Sequence, residues 1–279
     1  NLAAAPLMDI ENAMFEFLQF LNVKVIRPSS EDQKFDITVL NNDIMINDTE
    51  IEYHILIGSD GHKSLVRNKI VKSKVNELFR PCWGLTIVES MLPSEIGGIY
   101  RHPSEKHQYM VYNSPVQNEY RAFRTPKGII YIAFIINPQE HEDVKKYIEL
   151  ENETPPSWLI QKVEDLSKNI KLRKRPSLDR STLKCFKVCP TYSVRYSKTG
   201  AKPVYLVGDS LVSTNFFTGS GLNSGFKMAH NLIKLLGDYS HGYIPEDKYK
   251  KTQMSEVNAV LSRAGSIQTL SNANICKIK

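Results

Sequence analysis

Two short stretches of this sequence combine residue types able to hold a polar ligand. In the first, Ile57-Gly58-Ser59-Asp60-Gly61-His62-Lys63-Ser64-Leu65-Val66-Arg67, a strand delivers a tight turn. Gly58 and Gly61 permit positive φ and close approach of a ligand. Asp60 can accept hydrogen bonds from hydroxyls, water or backbone. Ser64 can cap or support the helix that follows, and Arg67 lies near one turn further on. The same residues also read as a plain strand-to-helix turn with an Asp-Gly bend. In the second stretch, Val204-Tyr205-Leu206-Val207 ends in Gly208-Asp209, and after a loop Thr218-Gly219-Ser220-Gly221-Leu222-Asn223-Ser224-Gly225-Phe226 opens a helix. A carboxylate at the C-terminal end of a strand, beside a Gly, is placed to hold sugar hydroxyls. The Gly-Ser-Gly turn exposes backbone N–H groups at a helix start, where the dipole favours negative charge. The alternative is a flexible loop before an amphipathic core helix.

Other chemistries find less support. The seven histidines form no His-x3-His or His-Glu-x-x-His pattern, and no Gly-x-Ser-x-Gly elbow occurs. Tyr109, Tyr112, Tyr120 and Tyr131 are expected to serve core and cross-strand packing, with a pocket lining as the alternative. Cys185 and Cys189 fall in a β-rich stretch, where four residues span roughly 13 Å. That is too far for a disulfide or a shared metal. Four free thiols in a reducing compartment are expected. The net charge of +6 is mild. The run Lys171-Leu172-Arg173-Lys174-Arg175 reads as a solvated face, with an anionic partner as the alternative.

The elements that must position the two stretches follow from periodicity. Apolar residues make up 41% of the 279, so a core is expected, and the length suits about two domains or one large one. The longest clean apolar run, Ile129 to Ile136, suits a buried strand and is far too short for a membrane span. Ile10, Met14, Phe17, Leu18 and Leu21 predict a helix from Asp9 with one buried face. Strands are expected at 23–26, 34–40, 43–46 and 52–57, with Asn41-Asn42 turning a hairpin. Further strands are expected at 82–89, 99–101, 108–112, 119–124 and 128–136. Helices at about 139–150 and 156–170 precede strands at 183–188, 191–197 and 203–207. A helix follows whose buried face is Leu222, Phe226, Ala229, Ile233 and Leu236, stopped by Gly237. A last helix covers 246–264. The order suggests an α/β domain interrupted by a sheet domain.

Together the two stretches resemble the class A flavoprotein monooxygenases, the aromatic-hydroxylase group within the glutathione-reductase-like flavin fold. Asp60-Gly61, Ser64 and Arg67 match the family's DG motif. Gly208-Asp209, Gly219, Gly221 and Asn223 match its GD motif. The resemblance implies FAD as cofactor, with Asp209 on the ribitol. It places amides around Leu222 and Asn223, in the Gly219-Ser220-Gly221 helix start, at the N1 and C2 carbonyl edge of the flavin. It gives Asp60 and Arg67 the support of the pyrophosphate region and of the reductant's approach. It makes the sheet at 82–136 and 183–197 a roof over the substrate. The chain departs from the family at Ser210, Leu211 and Val212, where two Ala and a His are usual, at Phe216 for Pro, and at Lys227 for Asp. Gly-Asp-Ser-Leu-Val looks rather more like the MICAL branch. The family's opening Gly-x-Gly-x-x-Gly, which binds the ADP half of FAD, is absent from this sequence, and Gly219-x-Gly221-x-x-x-Gly225 has the wrong spacing.

The expectation is therefore an α/β (α+β) chain with a glutathione-reductase-like FAD-binding fold missing its first βαβ. A partial FAD-binding domain spans 1–79, a β-rich substrate domain 80–197, and the second FAD-binding segment 198–279. The first residue, Asn1, fits a cut or processed N-terminus, and residues 1–8 lack signal-peptide features. The implied activity is oxygen insertion into a small organic substrate through a flavin C4a-hydroperoxide, with NAD(P)H as reductant, in the cytoplasm, without nucleic acid or a transmembrane segment. The alternatives are a non-catalytic homologue acting as a binding module, and a basic nucleic-acid binder.

Overall fold

The computed structural model describes residues 7–26, 37–40, 43–46, 49–77, 81–92, 95, 110–113, 120–124, 129–169, 172–214, 221–239 and 243–275. In chain order the first elements are α1 (Leu7–Phe20), β1 (Ile37–Leu40), β2 (Asp43–Ile46), β3 (Thr49–Ile51), β4 (Leu56–Gly58), β5 (Val75–Glu77), β6 (Cys82–Ser90), β7 (Met110–Asn113), β8 (Tyr120–Arg124) and β9 (Ile129–Ile136). Then come α2 (Pro138–Glu149), α3 (Ser157–Asn169), β10 (Leu183–Val188), β11 (Thr191–Ser193), β12 (Ser197–Lys198), β13 (Val204–Leu206), β14 (Val212–Ser213), α4 (Gly221–Asp238) and α5 (Glu246–Ile275). Two compact units form. One joins Asn1–Ile26 to Cys82–Lys187, and the other joins Arg27–Pro81 to Val188–Lys277.

The first unit is built on a five-stranded sheet in the order β10-β6-β9-β8-β7. β9 is β-branched and apolar along both faces, which suits a central strand. Its antiparallel register with β6 sets Leu85 opposite Phe134 and Ile87 opposite Ile132. That face packs on Val144 and Tyr147 of α2 and on Leu159, Val163 and Leu166 of α3. Each fully buried side chain of this kind contributes about 1.5–3 kcal/mol. Tyr120 belongs to this core and lies against Phe134, ring centroids 6.2 Å apart. The other face carries Thr86, Val88, Tyr131 and Ile135, all half-buried. α2 starts at a reciprocal cap: Asn137 Oδ1 accepts from Glu140 N at 2.8 Å, and Glu140 Oε2 accepts from Asn137 N at 2.8 Å.

Two expectations fail in this unit. The predicted strand at 23–26 is irregular, because no described residue offers it a ladder of hydrogen bonds. The predicted buried face of α1 is largely exposed at Met14, Phe17 and Leu21. The expected strand at 99–101 and Tyr109 lie outside the described residues.

The second unit holds three small sheets, β1-β2-β3, β14-β11-β5 and β12-β13-β4. The expected hairpin is β1 with β2, in the register Ile37↔Ile46 to Leu40↔Asp43. Its Asn41-Asn42 turn lies outside the described residues. The single strand expected at 52–57 is interrupted. β3 ends in one sheet and β4 begins in another, with 52–55 irregular between them. The strand expected at 191–197 divides for the same reason, into β11 and β12 of different sheets.

The core of this unit gathers Val204, Tyr205 and Leu206 with Met228, Leu232, Tyr249, Val257 and Val260. Three of its polar side chains bond inside it. Tyr205 Oη accepts from Ile244 N at 2.9 Å. Tyr249 Oη donates to Leu206 O at 2.7 Å, and Gln253 Nε2 donates to Met228 O at 2.9 Å. α4 departs from the face expected of it. Its buried residues are Ser224, Met228, Leu232 and Leu235, whereas Leu222, Phe226 and Ile233 are exposed. Both rows are spaced to form a helical face, so periodicity alone does not separate them. α5 runs on to Ile275, past the predicted end at 264. Among the described residues, no helix is long and apolar enough to cross a membrane.

Candidate cofactor site

The two glycine-centred stretches meet because their strands are neighbours. β4 and β13 pair in parallel, Leu56 with Val204, Ile57 with Tyr205 and Gly58 with Leu206. Both loops therefore leave the same edge of one sheet, the edge where α/β proteins bind ligands. Val207 N donates to Gly58 O at 3.0 Å and extends the pairing into the turns.

Within the first loop Asp60 bonds to its own segment. Asp60 Oδ1 accepts from Ser64 Oγ at 2.5 Å, and Asp60 Oδ2 accepts from Leu65 N at 2.6 Å and Val66 N at 3.2 Å. Ser64 Oγ accepts from Arg67 N at 2.9 Å. These bonds satisfy the free amides of a π-helical segment, Val66–Val71, a wide turn that is rare and occurs mostly as a bulge. It closes on Lys72 in the left-handed region, φ 52°. Gly61 takes φ +79°, as expected for the bend. Gly58 serves packing, since a Cβ there would stand 2.8 Å from Val66 Cγ1 and 2.9 Å from Leu206 Cδ2.

Arg67 joins the two loops. It is 4% exposed. Its Nη2 donates to His62 O at 2.6 Å, its Nη1 to Ser210 O at 3.1 Å and its Nε to Asn68 Oδ1 at 3.2 Å. Burial pushes its pKa down and Asp60 pushes it back up. An arginine so placed stays charged and fixes both backbones at once. Ser210 Oγ adds contacts to Gly58 O at 2.6 Å and Val207 O at 2.8 Å. In the sequence Ser210 stands out only as a departure from the family, and His62 carries no motif signal. The one pointer to Ser210 is a hydroxyl where Ala is usual.

Asp209 is arranged differently. It sits in the short turn Gly208–Ser210, and Gly208 takes φ +61°. A Cβ on Gly225 would stand 3.6 Å from Gly208 Cα, and one on Gly221 would stand 3.7 Å from Asp209 Oδ1. The carboxylate thus lies over the first turn of α4. No described residue donates a hydrogen bond to it. The residue is exposed, yet protein packed around the carboxylate raises its pKa, with His62 pulling it back. Leu222 and Asn223, exposed in that first turn, carry amides without an intrahelical partner. Gly219 and Ser220 lie outside the described residues. Among the described residues the arrangement offers an acceptor without a donor beside amides without an acceptor, which suits a ligand with hydroxyls and a group that gains negative charge.

Among the described residues no cluster of His, Cys, Asp and Glu can hold a metal. Cys82 and Cys185 are free thiols. Burial pushes Cys82 and Cys185 up to about 11, so neither is a ready nucleophile. Cys276 lies outside the described residues.

No family model matches the sequence, and no curated protein matches it. Solved structures do share the fold. The Pseudomonas aeruginosa protein PqsL, a probable FAD-dependent monooxygenase, is 16% identical with a TM-score of 0.56, over 85% of this chain and 63% of its own. The tetrameric form of 2-methyl-3-hydroxypyridine-5-carboxylic acid oxygenase is 13% identical with a TM-score of 0.58, over 96% of this chain and 65% of its own. A flavin-dependent halogenase from Xanthomonas campestris is 10% identical with a TM-score of 0.56, over 88% of this chain and 43% of its own. This chain therefore has the mixed α/β fold of flavin-dependent monooxygenases and spans less than two thirds of their length.

Proposed function

We propose that this chain is the part of an FAD-dependent monooxygenase that holds the ribityl chain and flavin ring, acting on a small organic substrate with NAD(P)H as reductant. One observation carries the reading: Asp209 is held over Gly221 of α4 with no hydrogen bond from a described residue, while Asp60 accepts three from its own loop. The residues fit the group. The Asp209 carboxylate is the acceptor for ribityl hydroxyls. Gly208 and Gly221 leave the room that a Cβ would fill. The amides of Leu222 and Asn223 favour negative charge on the ring, with Gly219 and Ser220 completing the turn. Asp60 and Arg67 act indirectly, by fixing the loops. The bound flavin supplies the oxygen chemistry, and the protein supplies position and exclusion of water.

The halogenase shows that this fold serves more than oxygen insertion, so the fold alone does not choose the reaction. The half-buried sheet face of Thr86, Val88, Tyr131 and Ile135 supports an organic substrate surface. The Gly208-Asp209-Ser210-Leu211-Val212 sequence supports a MICAL-like branch as the finer assignment. The second reading is a flavin-free binding module of the same fold.

Titration of the protein with FAD, followed by flavin fluorescence, tests the proposal. One FAD is expected per chain, with Asp209→Ala weakening it about tenfold or more. Oxygen uptake driven by NADPH or NADH is then expected with the right substrate. Absence of FAD binding selects the binding module, and equal binding by the Asp209→Ala protein removes the proposed role of that carboxylate.

A further inference from the structure

An open basic depression lies in the first unit, lined by residues that the cofactor site does not use. Glu164, Ser167, Lys168, Leu172, Arg173 and Arg175 line an open depression of ≈ 560 Å³. That size falls in the range of small-molecule sites. Residues 172–177, which follow α3, are tied down through their backbone N–H groups. Leu172 N donates to Ser167 O at 2.9 Å, and Arg173 N and Lys174 N donate to Glu95 O at 3.0 and 3.2 Å. Ser177 N donates to Glu89 Oε2 at 2.6 Å.

The acidic side chains nearby are already engaged. Glu95 pairs with Lys174 at 3.0 Å and Glu164 pairs with Arg175 at 2.8 Å. Arg173 and Lys168 have no carboxylate partner among the described residues. The depression is therefore lined by two cations without an ion-pair partner among the described residues, and by Leu172, which is half-buried. Arg173 and Lys168 both line the depression and match the charge of a phosphate, and Leu172 in the same lining suits an apolar body that bears it.

We propose that this depression binds a phosphorylated small molecule, with Arg173 and Lys168 on the phosphate and Leu172 under the organic part. The inference does not depend on the flavin reading, since its residues belong to the other unit.

Calorimetric titration with phenyl phosphate, inorganic phosphate and phenol provides the test. Phenyl phosphate is expected to bind once per chain, more tightly than inorganic phosphate, with no binding of phenol. Arg173→Ala and Lys168→Ala should each weaken phenyl phosphate about tenfold. Glu164→Gln should tighten it about threefold, because it removes a negative charge and releases Arg175. A gain of affinity of that kind is not produced by a folding defect. Unchanged binding by the Arg173→Ala, Lys168→Ala double variant overturns the proposal, as does an absence of binding. A single-stranded oligonucleotide that binds more tightly than phenyl phosphate, with strong salt dependence, overturns it in favour of a nucleic-acid surface.

Discussion

Asp60 and Asp209 look alike in the sequence, each beside a glycine at the end of a strand. The structure separates them by what surrounds each carboxylate. Asp60 accepts a hydroxyl and two amides of its own loop, whereas Asp209 accepts nothing from a described residue. The raised pKa of Asp209 has a consequence for stability. Its ionised form is disfavoured in the fold, so Asp209→Asn should raise the thermal midpoint of the flavin-free protein at neutral pH. The advantage should shrink as pH falls through the raised folded-state pKa and vanish below the ordinary aspartate value of 3.8. Melting curves of both proteins across that window measure it, and a pH-independent difference would contradict the assignment. Arg67 gives the opposite outcome. Arg67→Met leaves two backbone carbonyls without a donor and should cost about 2–4 kcal/mol in urea unfolding. Arg67→Lys, which cannot span both carbonyls, should fall between the two. The carboxylates and the arginine are legible in the sequence as motif members. Their directions are not, because a motif gives residue types and spacing, while direction is set by partners such as Ser210 O that lie far away in sequence.

At the scale of elements, the longer apolar strands and the helices between them are readable from sequence. β6, β9, β10, α2 and α3 lie within a residue or two of their expected bounds. The failures share a cause. Where one segment serves two sheets, as at 49–58 and 191–198, residue pattern continues while the hydrogen-bonded ladder stops. β5 and β14 are unreadable because strands of two or three residues hold no period. The helix α4 carries two apolar rows, and the core selects the one that faces Tyr205 and Leu206. Adjacent residues test that selection. Leu232, 1% exposed, should cost about 2–5 kcal/mol as Leu232→Ala, whereas Ile233, 66% exposed, should cost under about 0.5 kcal/mol as Ile233→Ala. Equal costs, measured by chemical denaturation, would mean that the core does not choose between the two rows.

At the scale of the whole molecule, two cores with no residue in common support the two units. Both tryptophans, Trp83 and Trp158, pack against the core of the first unit. Tryptophan emission therefore reports that unit. Leu159→Ala should lower the emission-monitored midpoint by the equivalent of about 2–5 kcal/mol, and an unshifted midpoint would mean that the helix layer does not seal the sheet.

The pairing of β4 with β13 also bears on how the protein is made. Arg67 waits for a carbonyl 143 positions further along the chain. A ribosome adding about 5–20 residues per second needs roughly 7 to 30 s to supply it. Through that interval the nascent Asp-Gly turn has no partner strand, so the bond that joins the two loops forms only after Ser210 has been added.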